Sequence, residues 1–296
     1  FVLLIVLLMW QSRDATTAGT VRSGLVVSLA MVTVVGLVQA AVPLVFLDPI
    51  NPQIGAPHPS FMGYKNPAAL AVLGQIFLLA GLVFANDDPA GRRRRCLLPG
   101  ILLIAELVYL ASLGSRNSMM ALGIAVLYSA GLWWLRDRSL RRARRGLLMV
   151  VAVLLIAGST VITDRDNRRR ASSMIAYLTE PASFLDSDRG TYLLNTLDMV
   201  RHHPLGVGLG DWQTHYPVHR PVHPSRSLTA DHQVRRAHSD HVQILGEAGW
   251  PGLVLWFVFL SSLVWTTART FLTTGRREAL FASAQLVAFA AAMTTD

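Results

Sequence analysis

The sequence contains almost no cysteine and little charge. Cys96 is the only cysteine in 296 residues, so the chain cannot form an internal disulfide, and any loop outside a membrane must be held by packing. Charged residues make up 15% of the chain, compared with about 25% in an ordinary soluble domain. Hydrophobic residues make up 52%, which excludes a disordered protein and argues against a soluble globular enzyme.

The hydrophobic residues are concentrated in blocks, most of them about 17 to 24 residues long, and a helix of that length crosses a bilayer. The predicted spans are 1–10 (the end of a helix), 24–47, 67–85, 97–113, 118–135, 147–163, 250–265 and 279–294. The blocks predict an all-α fold, a polytopic transmembrane helix bundle of about 7–8 spans. Because the chain opens inside an apolar run, we expect it to be a fragment of a longer protein, with helices missing at one or both ends.

The short segments between the spans alternate in their content of basic residues. Fifteen Lys and Arg residues lie in one alternate set of segments, 11–23, 86–96, 136–146 and 266–278. The other set, 48–66 and 114–117, holds one basic residue each. The positive-inside tendency therefore places the first set in the cytoplasm and the second set outside, together with 164–249. The net charge of +9 lies mostly in these clusters and indicates topology, not nucleic-acid binding.

The spans divide the chain into three predicted parts. Transmembrane helices with short loops occupy 1–163, a large outer loop that carries the active site occupies 164–249, and truncated C-terminal transmembrane helices occupy 250–296. The loop has 86 residues and contains eight of the nine histidines. A loop this long in a compact protein is usually functional, so we expect it to be partly helical and to carry chemistry.

Two arginines in the outer segments are candidate anion-binding groups. Arg116 lies in a tight hairpin at the outer membrane boundary, where a guanidinium can donate two parallel hydrogen bonds to a phosphate, and the alternative is an arginine that snorkels to the lipid headgroups. Arg189 opens a helical pattern, and its alternative is a solvated pair with a nearby Asp. The predicted apolar face of that helix is Tyr192, Leu193, Leu197 and Val200, and its predicted caps are Asp186, Ser187 or Asp188. We expect this helix to lie on the membrane surface.

His238 is the candidate proton acceptor. It begins a helical face with the spacing i, i+3, i+4 and i+7, which continues through His241, Val242 and Leu245. That helix leads through the Gly249–Gly252 break into the span at 250, which places His238 just above the membrane. An imidazole is neutral often enough at neutral pH to take a proton, and the alternative is a structural or solvated histidine.

Three further patterns have weaker interpretations. The glycines at 206, 208 and 210 follow no strand, so they fail as a dinucleotide motif and indicate either a turn or an amide nest for an anion. His215, His219 and His223 have helical spacing, but Pro217, Pro221 and Pro224 should prevent a regular helix, so we expect no metal site. Glu106 lies inside a span and indicates either proton-coupled transport or a hydrogen-bonded structural carboxyl.

Taken together, four motifs resemble those of the O-antigen ligase and polymerase superfamily, membrane glycosyltransferases of the GT-C type. The motifs are FMGYKNPAALAVLG with Asn66 and Pro67, SLGSRNS, DRGTYLLNTLDMVRHHPLGVGLGDW and AHSDHVQILGEAGWPGL. Their order, spacing and sidedness agree with the family over about residues 55 to 265. One position departs from it, because the family often has Asn after the key histidine and this chain has Ser239.

The resemblance implies a function at the periplasmic face of the bacterial inner membrane, in a multi-pass protein whose large loop is periplasmic. The implied donor is a glycan on undecaprenyl diphosphate, the acceptor is lipid A-core oligosaccharide, and transfer is inverting, without a metal or other cofactor. By the same resemblance Arg116 and Arg189 hold the diphosphate, and His238 takes the acceptor proton. Weaker candidates for phosphate or sugar contact are Lys65, Arg201, Arg220, His202 and His241.

Three alternatives remain open. An O-antigen polymerase and a protein O-oligosaccharyltransferase would use the same donor with another acceptor. A transporter would use Glu106, but it has no need of the 86-residue outer loop with its arginines and histidines.

Overall fold

The computed structural model describes residues 27, 30–38, 65–84, 89–113, 115–137, 185, 187–219, 234 and 236–293. These residues are helical with turns and contain no strand, so the predicted all-α class is confirmed for them. The helices are α1 (30–38), α2 (Lys65–Phe84), α3 (Pro89–Leu113), α4 (Arg116–Arg136), α5 (Asp188–His202), α6 (Trp212–His219), α7 (Asp240–Thr274, two helical segments joined at a kink at Gly249) and α8 (Arg277–Ala292). The predicted spans 1–10 and 147–163 lie outside the described residues.

The chain divides into two compact units. The first unit comprises Phe1–Thr160 and Val264–Phe289, and the second comprises Val161–Leu263 and Ala290–Asp296. The predicted division into three parts stays a prediction.

Helices α2 and α3 form the main packed pair of the first unit. The α2 residues Ala69, Val72 and Leu73 are fully buried, and Tyr109 and Leu110 of α3 are buried equally deeply. Small side chains on α2 allow helix backbones to approach closely, as is typical of packing between membrane helices.

Glu106 is a buried carboxyl within this packed core. The Thr33 hydroxyl of α1 donates to its Oε1 atom. The Gln75 amide of α2 also faces the carboxyl, and it donates to the Oε2 atom at 3.1 Å when its nitrogen is assigned to that side. The side chain is fully buried. Of the two interpretations of Glu106, this arrangement is the hydrogen-bonded structural carboxyl.

Gly275 and Arg136 both contact the C-terminal end of helix α7. Gly275 follows the helix with φ of +75°, and its N–H donates to the Phe271 carbonyl oxygen at 2.8 Å, as expected of a glycine C-cap. The Arg136 guanidinium also donates to the Phe271 oxygen, at 3.0 Å. A cation near a helix C-terminus is favoured by the helix dipole. With its end stabilised in this way, the helix continues to Thr274, nine residues past the predicted span end at 265.

In the part of the chain that the structure describes, two helices are long and apolar enough to cross a membrane, by length and composition. They are Asn117–Arg136 of α4 and α7, while Ala68–Phe84 and Leu97–Leu113 are shorter apolar helices. Large apolar side chains of α7 point outward, for example Leu255 at 68% and Trp265 at 67% exposure. Side chains of this kind are typical of a helix surrounded by lipid.

Candidate functional site

Helix α5 begins where the sequence predicts it. The Ser187 side chain accepts a hydrogen bond from the Gly190 N–H at 3.3 Å, which identifies the cap among the three predicted candidates. Arg189 therefore lies in the first turn and is half-buried. A basic residue at this end of the helix is not favoured by the helix dipole, so its position is not explained by helix stability.

The buried face of α5 differs from the predicted one. Tyr192 and Val200 are buried as expected, but Leu193 and Leu197 are only half-buried. The buried positions between them are Asn195 and Thr196. The prediction of the buried face is wrong because these polar side chains form hydrogen bonds inside: the Asn195 amide donates to the Tyr216 hydroxyl at 3.2 Å, and the Trp212 indole donates to Thr196 Oγ1 at 3.0 Å.

An aromatic cluster joins α5 to α6. The Trp212 and Tyr216 rings stack with centroids 4.3 Å apart, and Tyr192 contacts Tyr216 edge-on at 5.8 Å. Trp212 is fully buried. The expectation that prolines prevent a regular helix here is wrong for Trp212–His219, which is helical with Pro217 inside it. Burial of two large rings one turn apart outweighs the hydrogen bond that a proline removes.

His238 lies just before α7 and is exposed. Helix α7 begins at Asp240, so the predicted helical face does not include His238. Its φ is +52°, the only positive φ at a non-glycine position among the described residues. Such a conformation costs about 1–2 kcal/mol, and an outlier of this kind is a pointer to a functional position. The imidazole stacks on the Tyr192 ring with centroids 5.7 Å apart and planes at 26°.

Ser239, the departure from the family pattern, caps α7. Its hydroxyl oxygen accepts from the Val242 N–H at 3.4 Å, and the hydroxyl donates to the Met293 carbonyl oxygen at 3.4 Å. Serine is among the preferred N-cap residues, as asparagine is. The substitution therefore keeps the helix start that follows His238.

His241 has both ring nitrogens engaged by protein groups. The Trp256 indole donates to Nδ1 at 3.1 Å, and Nε2 lies 3.1 Å from the Ala290 carbonyl oxygen. Because an indole N–H can only donate, Nδ1 must accept, and Nε2 carries the proton that it donates to the carbonyl. These contacts describe a neutral histidine that supports α7, and its predicted role in substrate contact stays a prediction.

Two glycine-containing segments, 204–208 and 246–250, cross each other and are joined by backbone hydrogen bonds. We name this contact the glycine crossing. Its backbone hydrogen bonds run from Val207 N to Gly246 O at 3.0 Å, Gly208 N to Glu247 O at 3.0 Å and Trp250 N to Pro204 O at 3.2 Å. A Cβ atom at Gly206 or Gly249 would lie 2.2 Å from a carbonyl oxygen of the opposite segment. Both glycines also have positive φ, so the motif is a turn, and its glycines are required by close approach.

A cluster of imidazoles surrounds Asp198 at the other end of α5. The His219 Nδ1 atom lies 2.8 Å from Asp198 Oδ2, and the His202 Nδ1 atom lies 3.0 Å from the Asp198 carbonyl oxygen. The hydrogen bond from His219, together with the charges of His202, His219 and Arg201, lowers the pKa of the Asp198 carboxyl. Asp198 therefore remains ionised to lower pH than an ordinary aspartate.

The remaining predicted site residues are placed only in part. Arg201 lies in the last turn of α5 and is exposed. Lys65 and Arg116 are the first residues of α2 and α4, with side chains outside the described set, and Arg220 lies outside it altogether. The structure thus brings Arg189, Tyr192 and His238 to one part of the second unit. The position of Arg116 relative to them stays a prediction.

Comparison with known proteins identifies one family. The family model described as O-antigen ligase matches residues 99–257, which is more than half of the chain. The matched region includes α4, α5, α6 and both segments of the glycine crossing. No curated protein and no solved structure matches the chain significantly.

Proposed function

The chain belongs to the O-antigen ligase family, and from that membership we propose that it transfers a glycan from undecaprenyl diphosphate to lipid A-core oligosaccharide. The family is one of membrane-associated, glycosyltransferase-like enzymes. In this proposal the reaction takes place at the periplasmic face of the inner membrane, and the second unit carries His238 and Arg189. The proposed transfer reaction needs no metal or other cofactor.

One observation supports this function most directly. The His238 ring is exposed, held at an unfavourable φ, and stacked on Tyr192. Arg189 precedes Tyr192 by three residues on α5, so it lies on the same side of the helix, one turn away. The imidazole thus contacts a residue one helical turn from the guanidinium, an arrangement that supports transfer from a diphosphate donor.

The chemistry follows from the roles of these groups. His238 accepts the proton of the acceptor hydroxyl, and the resulting oxygen nucleophile attacks the anomeric carbon of the donor sugar. The bond from that carbon to the diphosphate oxygen breaks, with inversion, and the diphosphate leaves with the electron pair. Arg116 and Arg189 stabilise its charge through bidentate hydrogen bonds. Secondary contacts to phosphate or sugar are assigned to Lys65, Arg201, Arg220, His202 and His241.

The base assignment is tested by His238→Ala. Loss of a general base costs about 10²–10⁴-fold in rate, so transfer should fall to background while membrane insertion is unchanged. The measurement is transfer of labelled lipid-linked glycan by purified protein, with insertion checked by membrane fractionation. His215→Ala is the matched control and should retain activity. Near-wild-type transfer by His238→Ala would refute the base assignment.

The anion-site assignment is tested by Arg116→Lys. Lysine keeps the charge but loses the two-pronged donor geometry, so transfer should be severely impaired, by about tenfold or more. Full activity in this variant would favour an arginine that only snorkels to the lipid headgroups.

The acceptor is identified by gel analysis of lipopolysaccharide and lipid-linked glycan from a strain lacking the gene, with and without the full-length gene restored. Uncapped lipid A-core, with long polymer left on the carrier, supports a ligase. Lipid A-core capped by a single repeat identifies a polymerase instead. An unchanged ladder excludes both and directs attention to glycoproteins, then to transport.

A further inference from the structure

The imidazole cluster around Asp198 has the composition of a transition-metal site. Asp198, His202 and His219 each offer one ligand atom, and these atoms all lie within 4.8 Å of one another. Imidazole nitrogen with one carboxylate oxygen is a donor set that zinc accepts readily. Sequence spacing directs attention to His215, His219 and His223, and so it misses the two ligands that α5 provides.

We propose that Asp198, His202 and His219 bind one zinc ion, which fastens the C-terminal end of α5 to the C-terminal end of α6. This inference does not depend on the proposed transfer reaction. Arg189 lies at the opposite end of α5, about 14 Å along the helix axis from Asp198. The metal therefore has a structural role at the end of α5 away from Arg189, and a His202 that binds zinc does not make the phosphate or sugar contact assigned to it above.

The distances between the ligand atoms are close to those that zinc requires. With metal–ligand bonds of about 2.0–2.1 Å, neighbouring ligands of a tetrahedral ion are about 3.3 Å apart. Asp198 Oδ2 lies 2.8 Å from His219 Nδ1 and 3.9 Å from His202 Nδ1. Since all three ligand atoms lie within 4.8 Å of one another, shifts of up to about 1.5 Å complete the geometry. When zinc binds, two protons leave these Nδ1 atoms for solvent or for the other ring nitrogen: the one that His219 Nδ1 shares with the carboxylate, and the one that His202 Nδ1 directs at the Asp198 carbonyl oxygen.

The exposure of the three side chains suits entry of an ion from solution. The side-chain exposure is 10% for His219, 18% for Asp198 and 65% for His202. Two ligands are thus fixed by packing, while the third lies on the surface and can rotate onto an ion. Asp198 and His202 are four residues apart on one helix, the spacing that brings two ligands to the same face. The remaining coordination position faces solvent and takes water.

A metal here would constrain the segment between the two helices. Residues 203–211 join α5 to α6 and include one side of the glycine crossing. Fixing both ends of a connecting segment reduces its freedom, so zinc should stabilise the second unit against unfolding.

The test uses the full chain in nanodiscs, first treated with a chelator. Zinc chloride is then added, and binding is measured by calorimetry, metal content by mass spectrometry, and stability by thermal unfolding. We expect one zinc per chain and a rise in Tm of about 5 °C or more at saturation. Cobalt chloride should give the visible absorption of a tetrahedral site with nitrogen and oxygen ligands.

His202→Gln is the informative variant, because it removes an exposed ligand and leaves the buried Asp198–His219 contact in place. Loss of an outer-shell group already costs about 10–100-fold in affinity, so loss of this ligand should cost at least as much. His203→Gln is the matched control, since it removes the adjacent exposed imidazole, which is not one of the three proposed ligands. This variant should bind zinc as the wild type does.

Three outcomes would overturn the proposal. They are no zinc retained by the wild type, equal affinity in His202→Gln and the wild type, and equal loss of affinity in His202→Gln and His203→Gln. The second would assign bound zinc to histidines elsewhere, and the third would indicate non-specific binding by surface imidazoles. The Asp198–His219 pair would then be a hydrogen bond only.

Discussion

The two units bury different kinds of side chain. The first unit buries mainly aliphatic residues on α2 and α3 and turns other large apolar side chains outward, with Trp134 of α4 at 53% exposure. The second unit buries Trp212 completely, together with aromatic and polar groups that hydrogen-bond to one another. The first arrangement suits a lipid surrounding, where no hydrophobic force drives helices together. The second fixes particular side-chain positions, which suits the reacting site that we propose there.

Replacing a glycine by alanine should give the largest difference between the units in the change of unfolding free energy. Gly249→Ala forces a Cβ atom against a carbonyl oxygen at 2.2 Å and at a φ of +65°, so we expect a loss of about 2–5 kcal/mol in unfolding free energy. Gly123→Ala, in the open surface of α4, should instead gain about 0.5–1 kcal/mol from helix propensity. Denaturant titration of both purified variants makes the comparison. Equal stability of the two variants would mean that the glycine crossing does not organise the second unit.

A tryptophan pair gives an intermediate effect. Trp212→Phe removes the indole donor to Thr196 and leaves a small cavity among stacked rings, which should cost about 2 kcal/mol. Trp134→Phe in the first unit should change the unfolding free energy by less than about 0.5 kcal/mol, because that ring is largely exposed. A large loss from Trp134→Phe would contradict a lipid-facing surface on α4.

The smallest effect concerns acid stability of the second unit. Because the pKa of Asp198 is lowered in the folded state by the His219 hydrogen bond, its contribution is complete above the ordinary aspartate pKa of about 3.9 and is lost as the pH falls through the lower folded value. Asp198→Asn should therefore lose less stability on acidification below about pH 4 than the wild type does. Thermal unfolding across this pH range measures the difference.

The control for this prediction is His219→Gln, which removes the group responsible for the lowered pKa. It should show the same weakened acid dependence as Asp198→Asn. An unchanged acid dependence in either variant would contradict the assignment.

The apolar blocks of the sequence predict the described helices of the first unit well. The predicted span 67–85 corresponds to Lys65–Phe84, and 118–135 to Arg116–Arg136, because the length of an apolar block is a local property. The start of α5 was also predicted, since serine caps act within three residues. Helix α3 begins at Pro89, eight residues before its predicted start, because an arginine cluster is compatible with a helix but not with lipid.

The features that the sequence does not predict depend on contacts between residues far apart in the chain. The 206–210 glycines read locally as a turn or an anion nest, and only their crossing with the start of α7 shows why they are required. The Asp198–His219 pair joins residues 21 positions apart, with no periodic pattern to indicate it. The left-handed backbone at His238 has no sequence signal either, because strain of this kind is imposed by the surrounding packing.

The buried carboxyl of Glu106 has a consequence for how the protein is made. A lone carboxyl in the bilayer interior is costly, about 2.5–3.5 kcal/mol on insertion scales. Both of its partners, Thr33 and Gln75, precede it in the chain. Since synthesis proceeds from the N-terminus, both donors are made before α3 leaves the ribosome. The order of residues along the chain therefore lets the carboxyl, the most costly of the three groups to bury, meet its hydrogen-bond donors as soon as α3 is made.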